Sequence, residues 1–214
     1  MDAERIFEVC RGVDWRDVGQ VSSEVLPMLG RLADEREGLR GLCGAVVDSP
    51  DLRSRCERDA VLSKLVLASS EDGFRLRLHA FHEGAPSRPH DHRWPFATVV
   101  IRGGYRHTLF ETDPAGLPRP MFESWVGAQD GYVLLPGIIH DVTPRADSIS
   151  LVLRGRPVRE AMRVFAASDR PCTLHYGDRD ERTDETIRHA GMSRTDVERV
   201  LDDLDRTFFW QTTS

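Results

Sequence analysis

Two histidines one residue apart, His90 and His92, stand in "GAPSRPHDHRWPFATVVIRGGYRH", residues 84 to 107, a run that otherwise has the texture of β-strand. Alternate residues of a strand share a face and lie about 6 to 7 Å apart, so two imidazoles spaced this way can converge on one cation. Two polar residues on the rim of an ordinary sheet have the same spacing, and the pair alone leaves both readings open. The frame around it is more informative. Gly84 stands six positions before His90, Gly103 eleven after His92, and "DGYVLLPGIIH" sets a Pro-Gly turn three residues ahead of a further histidine, His140. Asp91 points away from its two neighbours, where a short carboxylate can bond a turn amide.

A scaffold must hold such a pair still. From residue 61 to 165 short β-rich runs follow one another, "KLVLAS", "FRLRLHAFH", "FATVVIRGGYRHTLFE", "GYVLLPG" and "SISLVLRG", cut by "EDG", "EGAPSRP" and "DPAGLPRP". Many short strands with Gly and Pro turns predict a sandwich or barrel rather than βαβ units. Residues 1–60 read as helical, with Val25, Met28, Leu29, Leu32, Leu39, Leu42 and Val46 near helical spacing. Ser22 or Ser23 would open one of these helices and leave Pro27 in its first turn, where proline is tolerated. Residues 166–214 are a polar tail until "SRTDVERVLDDLDRTFFW", where Ser193 or Thr195 caps a helix with Val197, Val200, Leu201 and Leu204 on one face. Phe208, Phe209 and Trp210 are costly to leave in water, so this end is expected to dock on the body.

Composition excludes several classes. A net charge of −6 over 214 residues, with pI near 5.8, argues against nucleic acid or an anionic membrane as partner. No secretory n-region opens the chain and no apolar run approaches membrane length, so the protein is expected to be soluble and cytoplasmic. Cys10, Cys43, Cys56 and Cys172 show no CxxC spacing and read as small buried hydrophobes. Of the 29 basic residues all but Lys64 are arginine. Oligomeric state is left open.

Gly84, His90, His92 and Gly103 match the pattern G(x)5HxH(x)3-4E(x)6G, and Gly137 with His140 matches the core of G(x)5PxG(x)2H(x)3N. In these motifs the chain resembles the cupin family. Two positions depart from it: the glutamate slot is Phe96 (Ala97 if Gly104 closes the motif), and the asparagine after the last histidine is absent. The resemblance implies a mainly β fold, a double-stranded β-helix or jelly-roll barrel with an N-terminal helical cap and a C-terminal helical tail. It also implies a three-histidine metal site of His90, His92 and His140. Over residues 60 to 157 the chain is similar to the cysteine dioxygenase group of thiol dioxygenases, whose iron is held by three histidines. That group's carboxylate-binding basic residue falls on Lys64, ten positions before Phe74. The group's Ser-His-Tyr relay falls on Ser150, Val152 and Arg154, so its thiol chemistry, and cysteine as substrate, are not expected.

The family register places Arg75, Arg77, His79 and Phe81 toward the pocket and packs Phe74, Leu76, Leu78 and Ala80 outward under helices. The opposite assignment puts the arginines in solvent, and periodicity alone favours it. In the first register Lys64, Arg77 and Phe81 contact substrate, Trp94 and Phe96 wall the cavity, and His79, Ser150 and Arg154 are the candidates for catalysis. His79 is suited to carry a proton. His107 could face in or out; His82, His175 and His189 read as surface.

Three neutral imidazoles leave two or three coordination positions open, which suits a substrate and O₂ side by side on Fe(II). The same set binds Zn(II) with one water. A site with no carboxylate is positive and favours a small anionic substrate. The expectation is an Fe(II) oxygenase of a small carboxylate or amino-acid-like compound, as in bacterial secondary metabolism. The alternatives are a zinc cupin catalysing a non-redox condensation or isomerisation, and a ligand-binding regulatory cupin without turnover.

Overall fold

A computed structural model describes residues 2–82, 87–165, 172–176 and 191–209. Gly84, His189 and Trp210 lie outside them. Four helices open the chain: α1 (Ala3–Gly12), α2 (Val18–Asp34), α3 (Arg36–Asp48) and α4 (Pro50–Ser54). Among the described residues eleven strands follow: β1 (Glu57–Arg58), β2 (Leu62–Ser69), β3 (Arg75–Phe81), β4 (Phe96–Arg102), β5 (Gly104–Thr112), β6 (Pro118–Gly127), β7 (Gly131–Leu134), β8 (Ile139–Pro144), β9 (Ile149–Arg154), β10 (Ala161–Val164) and β11 (Thr173–Tyr176). Helix α5 (Arg194–Leu204) runs into a π-turn at Asp205–Phe209. No described helix is long and apolar enough to cross a membrane, and the four cysteines are free thiols.

The larger sheet has the order β1-β2-β3-β9-β4-β7 and the smaller β6-β5-β8, with β10-β11 as a separate two-stranded ribbon and every pairing antiparallel. The chain passes from one sheet to the other between β4 and β5. It can turn there because Gly103 takes φ +69, and a Cβ on it would lie 2.6 Å from the Ser148 hydroxyl. Phe81 and Val100 of the larger sheet meet Tyr105, Val126 and Val142 of the smaller in one buried cluster. Two antiparallel sheets packed face to face around a filled interior make the jelly-roll barrel expected from the sequence.

Strand parity sorts the larger sheet. Leu65, Leu67, Leu76, Leu78, Ala97, Val99, Leu151 and Leu153 share one core with Ile6, Val25, Leu29, Leu39 and Val197 of the helices, so this face lies under the helical layer. The residues between them, among them Arg77, Thr98, Ser150, Val152 and Arg154, face the barrel interior. The register that sends the arginines of "FRLRLHAF" inward is therefore the observed one. Burial of the alternating leucines under a helical layer decides it, and that layer is invisible to a periodicity count.

Two helix starts differ in outcome. Ser193 caps α5 as expected, in a full capping box with Asp196. Helix α2 begins earlier than expected, at Val18, where Asp17 accepts from the Gln20 amide, so Pro27 sits in its interior. The break in hydrogen bonding that proline imposes there is offset by the burial of Val25, Met28 and Leu29 around it. The C-terminal segment docks on α3: Phe208 is buried under the Arg36 guanidinium, and Arg40 makes a two-pronged pair with Asp205 at 2.8 and 3.0 Å.

Candidate metal centre

His90, His92 and His140 meet in the barrel, with one ligand atom of each within 4.8 Å of the others. Among the described residues this is the group of side chains able to hold a metal. The HDH segment is not part of a regular strand, contrary to the strand geometry expected for it. His90 instead forms isolated antiparallel bridges with His140 and Val164. Its amide donates to the His140 carbonyl and its carbonyl accepts from the His140 amide, both at 2.9 Å. The segment is extended by its neighbours rather than by its own ladder. Its two rings are 4.8 Å apart between centroids.

Asp91, fully buried, pins that segment from behind. Its carboxylate accepts from the Arg163 amide at 2.6 Å, from Arg163 Nε at 2.7 Å and from Arg159 Nη1 at 2.7 Å. Gly137, the glycine of the Pro-Gly turn, has φ +85, and a Cβ there would meet Arg159 Nη1 at 2.9 Å. The glycine leaves room for the clamp.

The orientation of the rings suits a cation. The Nε2 atoms of His92 and His140 face each other at 2.9 Å. Two imidazole nitrogens about 2.1 Å from one ion and at right angles to each other stand about 3 Å apart. His90 Nδ1 donates to the Arg88 carbonyl at 2.8 Å, which leaves its Nε2 lone pair for the cluster. Burial holds all three imidazoles below the usual histidine range, His92 and His140 well below it, and their mutual repulsion adds to this for those two. At neutral pH the set is uncharged and able to ligate. The residues present fit a divalent transition metal with nitrogen-preferring chemistry.

A fourth histidine completes the centre. His107, left undecided from the sequence, faces inward: its Nε2 lies 3.1 Å from His140 Nδ1 and its ring stacks on Tyr132, with centroids 4.4 Å apart and planes at 20°. Burial pushes its pKa down to about 4. A neutral His107 accepts from His140 Nδ1–H and thereby fixes the tautomer that points His140 Nε2 at the cluster. The available signal was parity with Tyr105, since both face inward on β5. His107→Phe keeps the stack and removes the acceptor; it is expected to weaken metal binding about 10- to 100-fold. Zinc affinity measured by chelator competition checks this, and an unchanged affinity would make His107 mere packing.

The other candidates divide into those beside this cluster and those away from it. Phe96, in the glutamate slot, sets its ring edge-on to His92 at 5.0 Å, and Trp94 lies 5.8 Å from the same imidazole. Arg77 and Arg154 are buried, 8% and 6% exposed, with guanidinium carbons 5.7 and 4.1 Å from the centre of the Trp94 ring. His79 pairs across the sheet with Ser150 on one side and Lys64 on the other. Its buried Nε2 makes no hydrogen bond. Burial, with Lys64 and Arg77 nearby, holds its pKa well below the usual range. Phe81 packs on Tyr105 at 5.4 Å in the inter-sheet cluster and meets the His79 ring edge-on at 6.2 Å.

Lys64 shares the inward face with His79, its cross-strand neighbour, but its charge is met within the chain. Its ammonium is ion-paired with Glu57 at 3.1 Å and Asp59 at 3.5 Å. Glu57 is its cross-strand neighbour on β1, so the chain itself supplies the anion that a substrate was expected to bring.

No family model matches the chain, and no curated protein matches it in sequence. Solved structures similar to it include KdgF from Halomonas sp., at 15% identity and TM-score 0.37 over 47% of this chain and 87% of that one. An RmlC-like cupin from Shewanella frigidimarina is similar at 18% identity and TM-score 0.39 over 49% and 85% of the two chains. An oxalate decarboxylase variant from Bacillus subtilis is similar at 16% identity and TM-score 0.38 over 48% and 27%. Likenesses of this degree say nothing about activity, so the chemistry rests on the site's own geometry.

Proposed function

We propose that this protein is a metal-dependent enzyme that holds Fe(II) through His90, His92 and His140 and uses O₂ to oxidise a small carboxylate or amino-acid-like compound. The observation that carries the reading is the convergence of three uncharged imidazoles on one point, with a fourth orienting one of them. Bound there, the metal would supply Lewis acidity and, as iron, a place to activate O₂. The chain's own residues do the rest. Phe96, where a carboxylate ligand would otherwise stand, leaves the centre positive and one side of it apolar. Trp94 and Phe96 exclude water from that side. His79, whose buried Nε2 makes no hydrogen bond, is the residue we propose to carry a proton to or from a bound ligand. Ser150, directly across from it, can orient that exchange.

The all-imidazole donor set favours a second reading, a zinc enzyme that catalyses a condensation or isomerisation without redox change, because zinc outcompetes iron for nitrogen ligands. One experiment separates the two. Elemental analysis of protein purified without added metal, followed by an O₂-uptake screen of the iron- and zinc-loaded forms over amino acids and small carboxylates, is expected to show uptake with iron alone. Zinc retained and no uptake with any substrate would sink the oxygenase; ligand binding without any turnover would leave a binding protein.

A further inference from the structure

We propose that two copies of this chain pair through the free edge of β6, residues 121–127 of one lying antiparallel to residues 127–121 of the other across a two-fold axis at Ser124. The inference is independent of the metal reading.

The backbone of β6 carries the first part of it. The strand ends its sheet, paired to β5 on one side and to no described strand on the other. Gly127 shows which groups turn outward. Its amide donates to Asp130 Oδ2 at 2.8 Å and its carbonyl accepts from the Asp130 amide at 3.0 Å, so neither bonds β5. In an antiparallel ladder that orientation recurs at every second residue, and Trp125 and Glu123 therefore also direct N–H and C=O away from β5. A bulge opposite Leu109 separates this stretch from Pro118 and Pro120, which have no N–H to offer. A partner strand can run along residues 121–127 and no farther, which suits a closed pair rather than an open-ended sheet.

The side chains name the occupant. Of the eight large hydrophobics exposed among the described residues, Leu117, Met121, Phe122 and Trp125 all lie within residues 117–125. Such an edge is a template for pairing unless something covers it. With Ser124 on the axis, Glu123 stands directly opposite the other copy's Trp125. Both point to the outer face, out of phase with the inward Tyr105 and His107 of β5. Arg145 lies over that indole, 5.8 Å from its centre, and makes no ion pair among the described residues. Glu123 is half-exposed, with a loose 3.5 Å contact to Arg106. Pairing thus carries each Glu123 to the other copy's Arg145, and the axis makes the contact twice. On the opposite face Phe122 meets the other copy's Val126, while Met121 falls beside Gly127, which has no side chain in its way. The segment is complementary to itself in charge and in shape, a condition that a second copy meets at both ends.

The test is light scattering during size-exclusion chromatography of the full chain, loaded at about 100 μM, where even a dimer of micromolar affinity is populated. A dimer is expected. Glu123→Arg sets like charges together and should weaken it at least about tenfold, and adding Arg145→Glu to that variant should restore it. Ser124→Cys reads the register: residues facing each other across a non-hydrogen-bonded antiparallel pair stand about 4.5 Å apart at Cα, within disulfide reach. Oxidised glutathione should therefore link two copies of this variant through Cys at that position, identified by mass spectrometry, and should leave wild type unlinked. The cross-link also serves if the charge variants fail to fold. A chain that is monomeric at this concentration would overturn the proposal. So would a dimer that survives Glu123→Arg unchanged, or one that gives no cross-link through position 124.

Discussion

Replacing His140 with alanine is expected to strip the purified protein of bound metal while the barrel still folds. His140 is the hub of the centre: its Nε2 faces His92, its Nδ1 meets His107, and its backbone makes both bonds to His90. Truncation keeps the backbone pair and removes the imidazole. Two histidines remain, and a two-nitrogen site competes poorly with buffer and chelators. The loss should exceed the roughly 10- to 100-fold that follows when only an outer support is deleted. His79→Ala, on the facing sheet, should retain the wild-type metal content. Elemental analysis of the three proteins decides the matter; equal stoichiometry in wild type and His140→Ala would remove the three-histidine centre.

Acid should unfold the metal-free protein unusually early. Five interior histidines, His79, His90, His92, His107 and His140, are held below their ordinary range by burial. In the unfolded chain each titrates near 6.5. Below that pH the unfolded state binds more protons than the folded one, so stability falls as pH falls, and the fall ends only when the folded-state values are reached. Each imidazole that stays neutral adds a slope of up to about 1.4 kcal/mol per pH unit. The steepness of the fall therefore reports how many of the five stay neutral together. Urea melts of the metal-free protein from pH 8 downward are expected to show a flat region above 7 and a steep decline from about 6.5. A bound metal opposes the protons and should hold the midpoint up until it is released. A midpoint that stays level to pH 5 in the metal-free protein would mean that the imidazoles are solvated rather than buried.

The sequence was most legible where chemistry and geometry constrain the same residues. The motif resemblance grouped His90, His92 and His140, and the family register gave the inward face of "FRLRLHAF" that periodicity alone reversed. Strand β6 was missed. It carries Pro118 and Pro120 and exposes Met121, Phe122 and Trp125, so it has neither the alternation nor the composition of a strand. It exists because β5 pairs along its whole length, and proline is tolerated on its free edge. Lys64 was legible in position but not in partner: the count from Phe74 picked out a residue that faces His79, while nothing in "CERDAVLSK" marks Glu57, on a two-residue strand, as its counter-ion. His107 needed the inward parity of Tyr105, which becomes visible only once the strand break at Gly103 is known.

The reciprocal backbone bonds between His90 and His140 make these two ligands a preorganised pair. Their separation is set by sheet geometry before any ion arrives, and it cannot widen without breaking two hydrogen bonds. His92 has no such brace. It follows the bridge by two residues, its ring is held by aromatic contacts with Trp94 and Phe96, and its Nδ1 has no hydrogen bond. The centre is thus a rigid jaw of two imidazoles closed by one adaptable finger. Differences in ionic radius or coordination number between metals fall on His92 alone, and through Trp94 any movement of that finger is passed to the buried arginines.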